Sequence, residues 1–134
     1  MSNKNAIGFF SAQIKESGND EELELLPERL FLSVETTKFS VWGYTDKYPL
    51  ASWGLQIDLR YIELAPGIFP IGDHRAIYNP RTGESSWVSE EGELVIKAVD
   101  LNEKSAEGSF SFRAVSRFDP SRYADIKGLF SLKE

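Results

Sequence analysis

His74 is the single histidine of this 134-residue chain. It stands in Gly72-Asp73-His74-Arg75, beside a carboxylate that could orient an imidazole for general-base work or metal binding. Nothing in the sequence completes that chemistry. There is no cysteine and no second histidine, so a zinc site lacks its ligand set, and no serine sits in a nucleophile-elbow context. His74 therefore reads as a polar loop residue. Paired carboxylates would be the other route to hydrolysis. Asp58 and Glu63 share a predicted strand but have opposite parity, so they point to opposite faces. Glu90-Glu91-Gly92-Glu93 and Asp20-Glu21-Glu22 are charge runs at turns and read as solvated surface. The acidic segment 19–24 offers hard oxygen ligands but lacks the spacing of an EF-hand. These residues predict no catalytic group, no metal and no cofactor; the expectation is a protein that is not an enzyme.

A different set of side chains suits binding. Gln56, Asp58 and Arg60 alternate along one predicted strand, and Trp42, Tyr44 and Tyr48 lie close in sequence. An aromatic ring can stack on the apolar face of a sugar while fixed polar groups take its hydroxyls. Core packing of the rings and cross-strand pairing of the polar groups is the plainer reading. Yet Tyr44-Thr45-Asp46-Lys47-Tyr48 places two tyrosines in one polar loop, which packing alone does not require. The expected function is a non-enzymatic binding or interaction module, with carbohydrate or another polar ligand on Trp42, Tyr44, Tyr48, Gln56, Asp58 and Arg60. The alternatives are a lipocalin-like carrier of a small apolar ligand and a domain that only docks to another protein. The lipocalin opening Gly-x-Trp is missing near the N-terminus.

The elements that would position these residues are strands. Trp53, Leu55, Ile57, Leu59 and Tyr61 alternate with Gly54, Gln56, Asp58 and Arg60. A period of two gives a strand with one dry and one wet face, the mark of an antiparallel sheet. The same period returns at Leu94, Ile96 and Ala98, and at Phe110, Phe112 and Ala114. These three runs are predicted strands over Trp53–Leu64, Glu93–Asp100 and Gly108–Ser116; further strands are predicted over Ala6–Lys15, Arg29–Val34, Thr37–Tyr44, Ile68–Ile71, Ala76–Tyr78, Ser85–Val88 and Tyr123–Leu132, the last interrupted by a bulge at Gly128. Segment 20–26 reads as an acidic loop or a single helical turn stopped by Pro27. Lys47, Pro49 and Pro70 look like edge protection. The fold class is all-β, a single domain over 1–134, expected as an antiparallel β-sandwich of about nine strands with a lipocalin-like closed barrel as the alternative.

Composition agrees with a packed domain. Hydrophobic residues make up 41% and charged residues 27%, which excludes wholesale disorder. The net charge of −6 has a location: segment 16–28 carries six acidic residues up to Glu28 and, before Arg29, no basic one. No basic cluster appears, so nucleic acid is excluded as a partner. No stretch approaches the apolar length that spans a bilayer, and no secretory h-region is present, so the expectation is a soluble, cytoplasmic protein without a membrane partner. The remaining partner classes are a glycan, a small molecule or a protein.

Gly108-Ser109-Phe110-Ser111-Phe112, followed by Ala124-Asp125-Ile126-Lys127-Gly128-Leu129-Phe130, resembles small bacterial β-rich domains of unknown function. In these a G-[ST]-F-[ST]-F strand precedes I-x-x-G-x-F. Gly67-Ile68-Phe69-Pro70 stands where they carry G-T-Y-P, and Tyr78 and Trp87-Val88-Ser89 look like their middle section. The resemblance covers about residues 66–132 and implies a β-rich fold; it implies no function.

Overall fold

The computed structural model describes residues 5–45, 53–81 and 86–134. Every regular element among them is a strand: β1 (Ile7–Glu16), β2 (Leu23–Leu25), β3 (Arg29–Glu35), β4 (Lys38–Tyr44), β5 (Gly54–Arg60), β6 (Gly67–Pro70), β7 (Ala76–Asn79), β8 (Trp87–Asp100), β9 (Ser105–Val115) and β10 (Tyr123–Lys133). No helix among the described residues is long and apolar enough to cross a membrane. The period-two pattern explains the strands directly. Leu55, Ile57 and Leu59, Leu94 and Ile96, and Phe110, Phe112 and Ala114 are all buried, while the residues between them face outward.

All pairings are antiparallel and form one path, β2-β1-β10-β9-β8-β7-β5-β4-β3, with β6 branching onto β8. The sheet curls into a half-barrel. Its walls meet through phenylalanine. Phe39 on β4 lies 5.8 Å from Phe130 on β10, and Phe110 lies 5.6 Å from Phe10 and 6.4 Å from Phe130. Ring contacts at these spacings fill the interior with side chains.

β3, at one end of the path, also meets the chain leading into β1. Ala6 N donates to Leu30 O at 3.0 Å. The Asn5 side chain accepts from Leu30 N and donates to Glu28 O, each at 2.9 Å. At the other end of β3, Val34 N donates to Glu134 Oε2 at 3.0 Å and Lys104 Nζ to Val34 O at 3.4 Å. These contacts occupy backbone groups that an edge strand would otherwise leave open.

Four expectations change. Segment 20–26 is neither loop nor helical turn at its centre: Leu23–Leu25 forms β2 and pairs with Ile14–Ala12. Leu23 and Leu25 alternate with glutamates, and burying Leu25 completely favours the extended form. The strand predicted from Trp53 to Leu64 ends at Arg60, because Tyr61 adopts φ 60° and is 94% exposed. Beyond it, Ile62 N and Leu64 N donate to Thr37 O and Thr36 O, wrapping the chain over the β3–β4 turn. The strands predicted near Ser85–Val88 and Glu93–Asp100 are one strand, β8, which pairs with β7 at its start and β6 farther on. Its register shifts, between Ser89 and Glu91 and between Ile96 and Ala98, are where the bulges lie. Gly128 carries no bulge and pairs in register with Ala12 and Phe110. Its glycine is needed for space, since a Cβ there would sit 2.3 Å from Ser11 O and 2.5 Å from the Phe110 ring.

Candidate functional site

The hairpin β3–β4 and its neighbour β5 bring most of the expected binding residues onto one outer face. Register places Phe31 opposite Trp42 and Trp42 opposite Gln56; one row on, Ser40 faces Asp58, then Lys38 faces Arg60. Trp42, Tyr44, Gln56 and Asp58 are half-buried and Arg60 is exposed, all on the side away from the core. Tyr48 lies outside the described residues, as do Lys47 and Pro49.

The geometry within this face is specific. Tyr44 Oη donates to Gln56 Oε1 at 3.2 Å. The Trp42 and Tyr44 rings are 5.6 Å apart and tilted by 56°. Gly54 makes room for this, because it is the cross-strand partner of Tyr44 and a Cβ there would sit 2.5 Å from Tyr44 Cδ1. The tyrosine ring thus lies over a bare stretch of β5, and burial pushes its hydroxyl up to a pKa of about 12. Arg60 Nη2 stands 3.4 Å from Asp58 Oδ2, a solvated pair that orients rather than stabilises.

Sequence reasoning missed Phe31. Its ring stacks on Trp42 at 5.1 Å with an interplanar angle of 12°. Two nearly parallel rings so close are offset-stacked, so Phe31 occupies one face of the indole. The parity of Arg29–Val34 and the hairpin register were the signal that could have found it.

A second polar cluster lies inside the sheet. Trp53 does not join the aromatic face; it is 8% exposed and its Nε1 donates to Tyr78 Oη at 3.0 Å. Tyr78 Oη in turn donates to Glu16 Oε2 at 2.6 Å. Burial, reinforced by that carboxylate, pushes the Tyr78 hydroxyl far above the usual phenol range. The Tyr78 and Trp87 rings meet edge to face at 5.8 Å, and the guanidinium groups of Arg81 and Arg122 stand 5.5 and 5.2 Å over Trp53 and Trp87. No sequence pattern joins Glu16 to Tyr78 across 62 positions; only the curl of the sheet does.

His74 is an exposed turn residue at φ 65°, and its backbone N–H donates to Ser89 O at 3.0 Å. The buried Ser89 hydroxyl fixes that turn, accepting from Arg75 N and Ala76 N and donating to Gly72 O. Among the described residues no group of three His, Cys, Asp or Glu is placed to hold a metal ion. The outer face of β1, β10, β9 and β8 carries a groove of about 740 Å³ lined by Lys15, Glu91, Glu93, Arg113, Asp125 and Lys127, among others.

Fold and site together define an all-β protein with an antiparallel curled sheet and an aromatic, hydrogen-bonded outer face. Compared with protein-family models, curated proteins and solved structures, the chain matches none.

Proposed function

We propose that the protein is a non-enzymatic binding module that holds a polar, ring-bearing ligand, carbohydrate above all, on the outer face of β3–β5. The observation that supports this is the Trp42–Tyr44 pair. Two half-buried rings, tilted by 56°, sit on the side of the sheet where core packing does not need them. Phe31 backs one side of the indole and so holds it in place for a ligand on the other. Gln56 spends its carbonyl oxygen on Tyr44 and keeps its amide N–H groups as donors, while Asp58 and Arg60 supply an acceptor and further donors. This is the combination of stacking area and fixed polar groups that reads a sugar.

The same reading takes the curled sheet as a barrel rather than a two-layer sandwich. A sandwich has two separate sheets; here one strand path runs throughout, and the Ala6–Leu30 bond brings the chain leading into β1 against β3. The phenylalanine contacts across the interior favour a surface site over an enclosed apolar ligand.

The test is calorimetric titration with soluble oligosaccharides of varied linkage, repeated on Trp42→Ala and Tyr44→Ala. Binding weakened at least about tenfold (1.4 kcal/mol) with little change in melting temperature is the expected result. If no saccharide binds, or if each substitution costs the roughly 3–5 kcal/mol of a core aromatic truncation, the proposal fails.

A further inference from the structure

The outer face of β8–β9–β10–β1, on the other wall of the curl, carries an ordered charge pattern of its own. Cross-strand register sets Glu91 beside Arg113, Arg113 beside Asp125, and Asp125 beside Lys15. Across four strands the row reads minus, plus, minus, plus. Two rows farther along the strands comes a row of apolar and small residues, Val95, Ser109, Leu129 and Ser11. The next row ends on Phe9. Leu129 and Phe9 are 51% and 50% exposed, and the row between the charged and the apolar one carries Glu93, Ser111, Lys127 and Gln13. Large apolar side chains exposed among polar ones on a broad sheet face mark a surface that meets another.

We propose that this face is the contact surface of a symmetric homodimer, two copies packed sheet on sheet about a two-fold axis running along the strands. Such an axis reverses the order of strands and keeps the position along them, so each row meets its own reverse. Under that operation Lys15 of one copy stands over Glu91 of the other, and Asp125 over Arg113. Every charge in the row meets its opposite. The apolar rows fit by size in the same way: Leu129 falls over Ser109, Val95 over Ser11, and Phe9 over Ala98. The curl makes this outer face convex across the strands, so the contact centres on β9 and β10 and the long Lys15 and Glu91 side chains reach across at its flanks. An isologous interface must be complementary to itself, and a row reading plus, plus, minus, minus on strands of the same order would also pass. A row with equal signs at mirrored positions would not, and this one has none.

The charge row makes the proposal testable with two single substitutions. Lys15→Glu sets like charges over Glu91 twice in each dimer, and Glu91→Lys does the same with the opposite sign. Mixed in equal amounts, the two variants form a heterodimer in which every facing pair is again opposite. Lys15 Nζ also donates to the Asn19 carbonyl, so circular dichroism checks each variant for folding and Glu91→Lys serves as the variant free of that contact. Sedimentation equilibrium is the measurement. The expected result is a wild-type dimer in the micromolar range, a dissociation constant raised at least tenfold in each single variant, and near wild-type association in the mixture. A wild-type monomer throughout that range overturns the proposal. So does a dimer indifferent to both substitutions, or a mixture that stays dissociated. Trp42→Ala, on the other wall, leaves the dimer intact.

Discussion

Tyr78 on β7 and Glu16 at the end of β1 are joined by a 2.6 Å hydrogen bond, 62 positions apart in the chain. Between them the sheet runs through β8, β9 and β10, so the bond crosses the curl and ties its two walls. Trp53 extends it with a third partner from β5. In a largely apolar interior, this chain of donors fixes one arrangement of the walls against one another. A buried polar network contributes in this way only when each member is satisfied.

Removing the hydroxyl with Tyr78→Phe leaves the Trp53 N–H and the Glu16 carboxylate without that partner. The expected loss is about 1–3 kcal/mol at neutral pH, read from urea unfolding. The pH profile carries a second signature. A phenol whose folded pKa lies above its unfolded value of 10.0 keeps its proton longer in the native state. The stability this confers is complete below pH 10 and declines as the pH rises further. Wild-type stability should therefore fall above about pH 10 more steeply than that of Tyr78→Phe, with Tyr44 supplying the slope that remains. Parallel profiles would show that Tyr78 is not held protonated by the fold.

Gly128 and Gly18 separate two reasons for glycine. Gly128→Ala forces a Cβ to within 2.3 Å of Ser11 O, a backbone atom that moves only if the β1–β10 pairing moves. A loss of about 2 kcal/mol or more is expected, at the upper part of the overpacking range. Gly18 has φ +79° and open space around it, so Gly18→Ala meets only the left-handed conformational cost of about 1–2 kcal/mol. Thermal unfolding of both variants decides the order; a Gly128→Ala variant as stable as wild type contradicts the close approach.

The parity of apolar residues made the strands readable because burial on one face is a local constraint. It held for Leu55, Ile57 and Leu59 and for the row Phe110, Phe112, Ala114. It misled at Tyr61, where an apolar residue on the right parity sits past the end of the strand in a left-handed turn. It was silent on Leu23–Leu25, three residues long and set among glutamates, because what makes them a strand is β1 lying alongside. Of the aromatic outer face of β3–β5, the shared parity of Gln56, Asp58 and Arg60 was visible. Phe31 as a partner of Trp42 required the hairpin register, and Gly54 as the bed for Tyr44 required the β4–β5 pairing. The Glu16–Tyr78–Trp53 chain is tertiary throughout, and no local pattern encodes it.

Among the described residues, the seam where β3 meets the start of β1 rests more on side chains than on a backbone ladder. One backbone bond, Ala6 N to Leu30 O, stands beside the two made by Asn5, and Glu134 with Lys104 holds the far end at Val34. A seam of this kind opens more easily than a ladder, since each side-chain contact contributes only about 0.5–1.5 kcal/mol net. Asn5→Ala removes the contacts at Leu30 N and Glu28 O, and Glu134→Ala removes the acceptor for Val34 N. Local opening is reported by amide exchange rather than by global unfolding. Faster exchange at Leu30 in the first variant and at Val34 in the second is expected, with Leu55 and Ile57 in the middle of the sheet unchanged. Acceleration spread evenly over all strands would instead mean that these contacts act on the whole fold, and that the seam has no separate opening of its own.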